Sequence, residues 1–122
     1  MSLRMILTGD VNLMNVNDPR APFALLIDEL RQADVVFSNL ECCLVETPAG
    51  HSVSNEGFFA DPAVGGEALK LAGIHAVGIA NNVHYGDSNI QASIARLDQL
   101  GIQHAGAGPD LAAARAPVIL ER

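Results

Sequence analysis

The sequence predicts an α/β fold, in which a mainly parallel sheet is flanked by helices. Short apolar runs typical of strands alternate with segments of helical periodicity, and Gly or Pro separates them. The connections between successive strands are too long for hairpins, which indicates parallel strands joined through helices. The chain has 122 residues, of which 49% are hydrophobic, so we expect residues 1–122 to form one domain with a buried core.

Five strands are predicted, and most of these short apolar runs are followed by Gly or a polar residue. In chain order they are Met5 to Thr8, Val35 to Phe37, His75 to Ala80, Ile102 to Ala105 and Pro117 to Leu120. A loop of about twenty residues, rich in Gly, Ser, Asn and Pro, follows the second strand. Loops of that length in compact domains tend to be functional or mobile.

The helices are predicted from apolar spacing and from residues that begin or end helices. The first places four apolar residues on one face behind Pro22: Phe23, Leu26, Ile27 and Leu30. The second begins at the Asp61-Pro62 cap and ends at Gly73. The third is capped by Asp87 or Ser88 and ends at Gly101, with three residues on its apolar face: Ile90, Ile94 and Leu97.

The last helix is short and rich in Ala, and it follows the run Gly106-Ala107-Gly108-Pro109-Asp110. Two glycines in this spacing resemble a phosphate-binding turn. Without the rest of the dinucleotide fingerprint, however, we interpret the run as a tight strand-to-helix connection.

Charge and composition exclude several classes of protein. The net charge is −7 and no block of Lys and Arg offsets it, which argues against binding to DNA or RNA. No apolar run is long enough for a membrane span, and no export signal is present, so a cytoplasmic location is expected for the sequence as written. The two cysteines, Cys42 and Cys43, are adjacent, which rules out a disulfide framework and favours a reducing compartment.

Polar side chains follow three of the predicted strands: Asp10 after the first, Asn39 and Glu41 after the second, and Asn81 and Asn82 after the third. Ligands of open α/β sheets bind beyond the carboxyl ends of the strands, where these residues would meet. Carboxylates, amide oxygens and imidazoles are ligands for Mn, Mg, Zn or Fe. The pattern therefore favours a divalent metal site at this edge.

Each of these residues also has a purely structural explanation. Asp10 could shape a turn after Gly9, and Glu41 could be a solvated loop acid. The Asn81-Asn82 pair could hold turn geometry through bonds to the backbone, and His84 could be an exposed loop histidine. The coincidence of three strand ends carrying metal-competent groups is what favours a site.

Several segments resemble the CapA family of poly-gamma-glutamate capsule biosynthesis, in the correct order along nearly the whole chain. They are Gly9-Asp10-Val11-Asn12-Leu13-Met14, Phe37-Ser38-Asn39-Leu40-Glu41, Ala68-Leu69-Lys70-Leu71-Ala72-Gly73-Ile74, Ile79-Ala80-Asn81-Asn82, Leu100-Gly101-Ile102 and Gly106-Ala107-Gly108. The resemblance implies a fold similar to the first half of a calcineurin-type metallophosphatase sandwich. It also implies metal-dependent hydrolysis of phosphoesters, linked to capsule or polyglutamate production.

The resemblance assigns roles to residues of this chain. Asp10 stands at the first metal-ligand position and Glu41 near the second acidic one. Asn82 stands at the bridging Asn position, and His84, one place after the family's His position, is the candidate acid; both are expected in the catalytic group. Three further residues are expected to contact a phosphate ester or polyglutamate-type substrate: Asn12, Asn39 and Asn81.

Two departures from the family pattern lead to an alternative. Val83 stands where the family has His, and family members continue with His-bearing segments beyond residue 122. We therefore expect the 122-residue chain itself to be inactive, and keep open a non-catalytic binding module that retains the fold. A partial domain would leave apolar sheet surface open, which predicts a homodimer or a domain swap. The resemblance also suggests association with the cell envelope.

Overall fold

Four parallel strands form one sheet in the computed structural model, which describes residues 2–52, 57–84 and 86–122. The strands lie side by side in chain order: β1 (Met5–Val11), β2 (Val35–Leu40), β3 (Ala76–Gly78) and β4 (Gln103–Ala105). Because every pair is parallel, each connection must return to the starting end of the sheet, and most of the helices lie in these connections. The α/β fold class predicted from the sequence is confirmed.

The helices are α1 (Ile27–Arg31), α2 (Pro62–Leu71), α3 (Asp87–Leu100) and α4 (Leu111–Arg115). The predicted start of α2 is confirmed, since the Asp61 carboxylate accepts hydrogen bonds from the Ala63 and Val64 amides, each at 2.8 Å. The predicted end of α3 at Gly101 is also confirmed, with this glycine left-handed at φ 70°. No helix in the described ranges has both the length and the apolar character needed to cross a bilayer.

The core lies on one face of the sheet. Val36 and Val77 are fully buried there, against Leu69 of α2 and Leu97 of α3, which are equally inaccessible. The opposite face is more open, because Met5 is 60% exposed there and Leu7 is 68% exposed. The helices that cover the sheet therefore lie mainly on one side.

A β-bulge in β1 sets which side chains reach the end of the sheet. Leu7 pairs with Phe37, but the next paired residues are Asp10 and Asn39, so β1 uses one residue more than β2 between them. Because side chains alternate between faces along a strand, the extra residue moves Asp10 onto the face of Asn39. The same shift turns Val11 towards the core, where it is buried.

The predicted fifth strand is wrong. Residues 117–120 form no regular secondary structure and pair with no strand of the sheet. Val118 and Leu120 instead line a cavity with Met5 and Val35, so the segment crosses the open face and does not extend the sheet beyond β4. Pro117 has no amide hydrogen to donate to a neighbouring strand. Val118 and Leu120, which alternate along the segment, instead have apolar residues of the open face beside them.

Two helix predictions also need correction. The first helix begins only at Ile27, and Leu26 is 57% exposed, so the predicted four-residue apolar face is not formed. Neither Asp87 nor Ser88 caps α3: Asp87 is its first residue, and Gly86 occupies the N-cap position without a side-chain bond. Before α1 the chain forms turns, which apolar spacing does not report.

Candidate functional site

One side-chain amide links the two carboxylates that follow β1 and β2. Asn39 Nδ2 donates to Asp10 Oδ1 at 2.8 Å and to Glu41 Oε1 at 2.8 Å. Because both bonds share one nitrogen, the two acceptor oxygens are at most twice that distance apart. The Asp10 side chain is exposed and Glu41 is half-buried. The structure thus brings together two of the predicted acidic residues in a solvent-accessible cluster.

Asn81 ties the end of β3 to this cluster. Its Nδ2 donates to Asn39 Oδ1 at 3.1 Å and to the Leu40 carbonyl oxygen at 2.8 Å. Its Oδ1 accepts from the backbone amides of Val83 and His84, at 3.3 and 3.0 Å. Two donated and two accepted bonds use the full capacity of a carboxamide, so Asn81 holds the turn and orients Asn39. We name Asp10, Asn39, Glu41 and Asn81 the polar cluster.

The other two asparagines predicted for the site, Asn82 and Asn12, are not hydrogen-bonded to this cluster. Asn82 is exposed, and its side chain makes no hydrogen bond within the described ranges. Asn12 is also exposed, and its Oδ1 accepts from the Met14 amide at 3.0 Å. Asn12 borders a cavity of about 500 Å³ together with Asn15 and Asn17. Both side chains are therefore accessible, and neither is hydrogen-bonded to Asp10 or Glu41.

His84 is buried, contrary to the alternative of an exposed loop histidine. The residue is 3% exposed, and neither ring nitrogen has a hydrogen-bond partner in the described chain. Burial lowers the pKa of this imidazole below its usual value, since a charged ring would be poorly solvated there. The adjacent Val83, which stands at the family's His position, is buried as well.

The donor set suits a hard divalent cation but is incomplete. Carboxylate and amide oxygens are the groups that Mg or Mn takes, and such ions take about four to eight ligands. The described residues hold no group of three or more His, Cys, Asp or Glu side chains placed to bind an ion. The cluster thus offers the two carboxylates of Asp10 and Glu41, and the described residues do not complete a ligand set for one ion or for two.

Sequence reasoning missed the role of Asn39 as the shared donor. The Asn-Leu-Glu run contains a signal for it, because residues two apart on a strand end lie on the same face. The bond to Asp10 had no such signal, since it depends on the bulge that pairs Asp10 with Asn39 across two strands.

Comparison with known proteins agrees with these motifs. The family model of the bacterial capsule synthesis protein PGA_cap matches residues 4–122. Two relatives from Sinorhizobium fredii (strain NBRC 101917 / NGR234), the uncharacterized proteins y4sH and y4uA, are each 29% identical over 126 aligned positions. Each alignment covers 96% of this chain. The chain spans only 27% of the length of these curated relatives.

The family match runs through every strand and helix described above and includes the whole polar cluster. The chain therefore belongs to the bacterial capsule synthesis protein family PGA_cap.

Proposed function

We propose that the polar cluster is this chain's share of a divalent-cation site in a metallophosphatase-related capsule synthesis protein. The substrate class would be a phosphate ester or a polyglutamate-type chain. The observation that carries the proposal is the Asn39 amide, which donates to Asp10 and to Glu41 and so holds two carboxylates beside one another at the strand ends. Two neighbouring carboxylates without a counter-charge repel each other, and a cation bound to both would remove that repulsion.

Each residue has a distinct part in this proposal. Asp10 and Glu41 would supply carboxylate ligands, and the accessible Asn82 would add an amide oxygen to the same ion. Mn, Mg, Zn or Fe bound there would neutralise charge on phosphoryl oxygens and lower the pKa of water. Asn39 and Asn81 would orient the ligands and the adjacent substrate. Asn12 would contact substrate from the cavity that it borders.

His84 would exchange a proton during the reaction. Its burial favours the neutral imidazole at neutral pH, and a neutral ring accepts a proton more readily than it supplies one. We therefore propose His84 as a base, in place of the acid role expected from the sequence, once substrate or a further segment reaches it. Both ring nitrogens are buried and neither is hydrogen-bonded to a described residue, so a group that reached them would meet an unused donor and acceptor.

A non-catalytic binding module is the second candidate. Val83 can neither bind a cation nor move a proton, and it stands where the family has His. The described residues also lack a complete ligand set for an ion. Under this proposal the chain retains the fold and the polar cluster but binds its partner or polymer without turnover.

Manganese binding tests the proposed cation site. We would titrate the chain with Mn²⁺ and follow the electron paramagnetic resonance signal of the free ion. Saturable binding should weaken at least about tenfold in Asp10→Asn and in Glu41→Gln, because each loses a direct ligand. Asp28→Asn is the matched control, since it removes the same charge from an exposed position in α1. Equal binding by all variants, or no saturable binding, would contradict the site.

A phosphatase assay separates the two candidates. Turnover of p-nitrophenyl phosphate with added Mn²⁺, lost in His84→Ala but retained in His51→Ala, would support hydrolysis. Such turnover would exclude the binding module. Because the chain by itself is expected to be inactive, saturable Mn²⁺ binding without turnover agrees with both candidates.

A further inference from the structure

A second polar cavity lies at the end of the sheet opposite the polar cluster. Its volume is about 280 Å³, and its lining includes His75 just before β3 and Gln103 at the start of β4. The polar cluster follows the carboxyl ends of the strands, whereas these residues lie at the amino ends. Since the strands are parallel, the two features are separated by the length of the sheet. This second cavity is not part of the site described above.

The cavity gathers positive charge in a chain of net charge −7. Lys70, in the last turn of α2, and Arg122 both line it, and none of the lining residues is acidic. Arg31 lies close by, because its Cγ would be 3.7 Å from a Cβ atom added to the lining residue Gly73. Three of the seven Lys and Arg residues of the chain therefore meet at this end of the sheet.

Arg122 forms no ion pair with an acidic side chain among the residues that the structure describes. Its Nε donates to the Asp34 backbone carbonyl at 2.8 Å, and its Nη1 donates to the Glu121 backbone carbonyl at 2.7 Å. One oxygen of the Asp34 carboxylate accepts from the Arg4 amide at 2.7 Å, and the bond from Arg122 goes to the Asp34 backbone and not to this carboxylate. The backbone bonds hold the guanidinium in position and leave its charge available to a ligand.

His75 adds a neutral donor to the same cavity. Its Nδ1 accepts a hydrogen bond from the Val36 amide at 2.9 Å, so Nδ1 carries no proton and the ring hydrogen is on Nε2. Burial and the nearby Arg122 charge lower the pKa of His75, which keeps this tautomer neutral. The Nε2–H group is then the only ring donor left for a ligand.

We propose that this cavity binds a single oxyanion, a carboxylate or a phosphate, through Lys70, Arg122 and the His75 Nε2–H group. Two cationic side chains and one neutral donor match an oxyanion, which offers several acceptor oxygens to charge-assisted hydrogen bonds. A cationic or apolar ligand has no acceptors for these donors. The inference does not depend on the proposed cation site, which lies at the other end of the strands.

Nuclear magnetic resonance titration of the ¹⁵N-labelled chain tests this proposal without added metal. The lining glycines Gly73 and Gly101 provide amide reporters within the cavity. Inorganic phosphate and a γ-linked glutamate oligomer would be added separately at constant ionic strength, with chloride as the control anion. Saturable shifts of both amides with either oxyanion, and none with chloride, are expected. Shifts with phosphate alone or with the oligomer alone would support the site and identify the source of the oxyanion.

Charge-removing variants assign the binding to the named side chains. Lys70→Gln and Arg122→Gln should each weaken binding at least about fivefold, because each removes a charge-assisted bond. Arg115→Gln is the matched control, since it removes the same charge from an exposed residue of α4 that does not line the cavity. The absence of shifts at Gly73 and Gly101 with both oxyanions would overturn the proposal. An equal loss of affinity in Arg115→Gln would do the same.

Discussion

The side-chain amide of Asn81 donates to the Asn39 side-chain oxygen over 3.1 Å. This bond connects the turn after β3 to the end of β2, and it determines which way the Asn39 amide faces. With its oxygen held by Asn81, the Asn39 nitrogen must point to the two carboxylates. The arrangement of the acidic residues therefore depends on an asparagine that follows a different strand.

Replacement of Asn39 by Asp should make stability depend on divalent cations. Asn39→Asp removes the donor to Asp10 and Glu41 and adds a third carboxylate beside them. Without a cation, the free energy of unfolding should fall by about 1–3 kcal/mol. Urea denaturation with and without Mn²⁺ measures this difference. Recovery by Mn²⁺ is expected in the variant, and a loss that Mn²⁺ leaves unchanged would contradict the prediction.

Removal of the Ser93 hydroxyl should destabilise the packing of α3 against the loop after β2. Ser93 is fully buried, and its Oγ accepts from the Leu44 amide at 2.9 Å and donates to the Asn89 carbonyl at 2.8 Å. Ser93→Ala leaves the buried Leu44 amide unpaired and should cost about 1–3 kcal/mol in chemical denaturation. Ser88→Ala, at an exposed position of the same helix, should change stability little. Similar losses of unfolding free energy in the two variants would contradict the predicted role of the Ser93 hydroxyl.

Gly106 should not tolerate a side chain. Its φ is +106°, and an added Cβ would lie 2.6 Å from Ala80 Cβ and 3.0 Å from Ala80 N. Gly106→Ala should therefore lower the free energy of unfolding by about 2–4 kcal/mol. The control is Gly9→Ala, because no atom lies within 4 Å of its added Cβ and its φ is not in the left-handed region. Equal melting temperatures for the two variants would be inconsistent with this packing.

Acidification should destabilise the chain partly through His84. Burial lowers the pKa of His84 in the folded state below its ordinary value of 6.5, so the unfolded chain takes up the proton first as pH falls. The free energy of unfolding should then decline below about pH 6.5, until the pH passes the folded pKa. Above pH 7.5 the imidazole is neutral in both states and makes no such contribution.

His84→Gln isolates this effect from other groups that titrate, including His75, whose folded pKa is also lowered. Glutamine carries no charge at any of these pH values, so stability should decline less steeply between pH 7 and pH 5 in the variant. Urea unfolding at each pH gives the two slopes. Parallel slopes for the variant and the original chain would exclude the predicted contribution of His84.

Local signals account for the parts of the fold that the sequence predicts well. The Asp61-Pro62 cap and the left-handed Gly101 depend on the backbone preferences of adjacent residues, and both were predicted. The alternation of strands and helices likewise follows from apolar spacing within short windows. The predicted strand Pro117 to Leu120 had equally good local spacing, but it packs across the open face of the sheet.

By itself, the sequence determined the α/β class, the family and the placement of Asp10, Glu41 and Asn81 after successive strands. All three follow from short-range patterns and from the order of motifs, and they do not depend on which distant residues contact each other. Two features became visible only in three dimensions: Asn39 donates to both carboxylates, and His84 is buried with no hydrogen-bond partner among the described residues. Both depend on strand register and on packing between distant segments, since one extra residue in β1 decides which face Asp10 occupies.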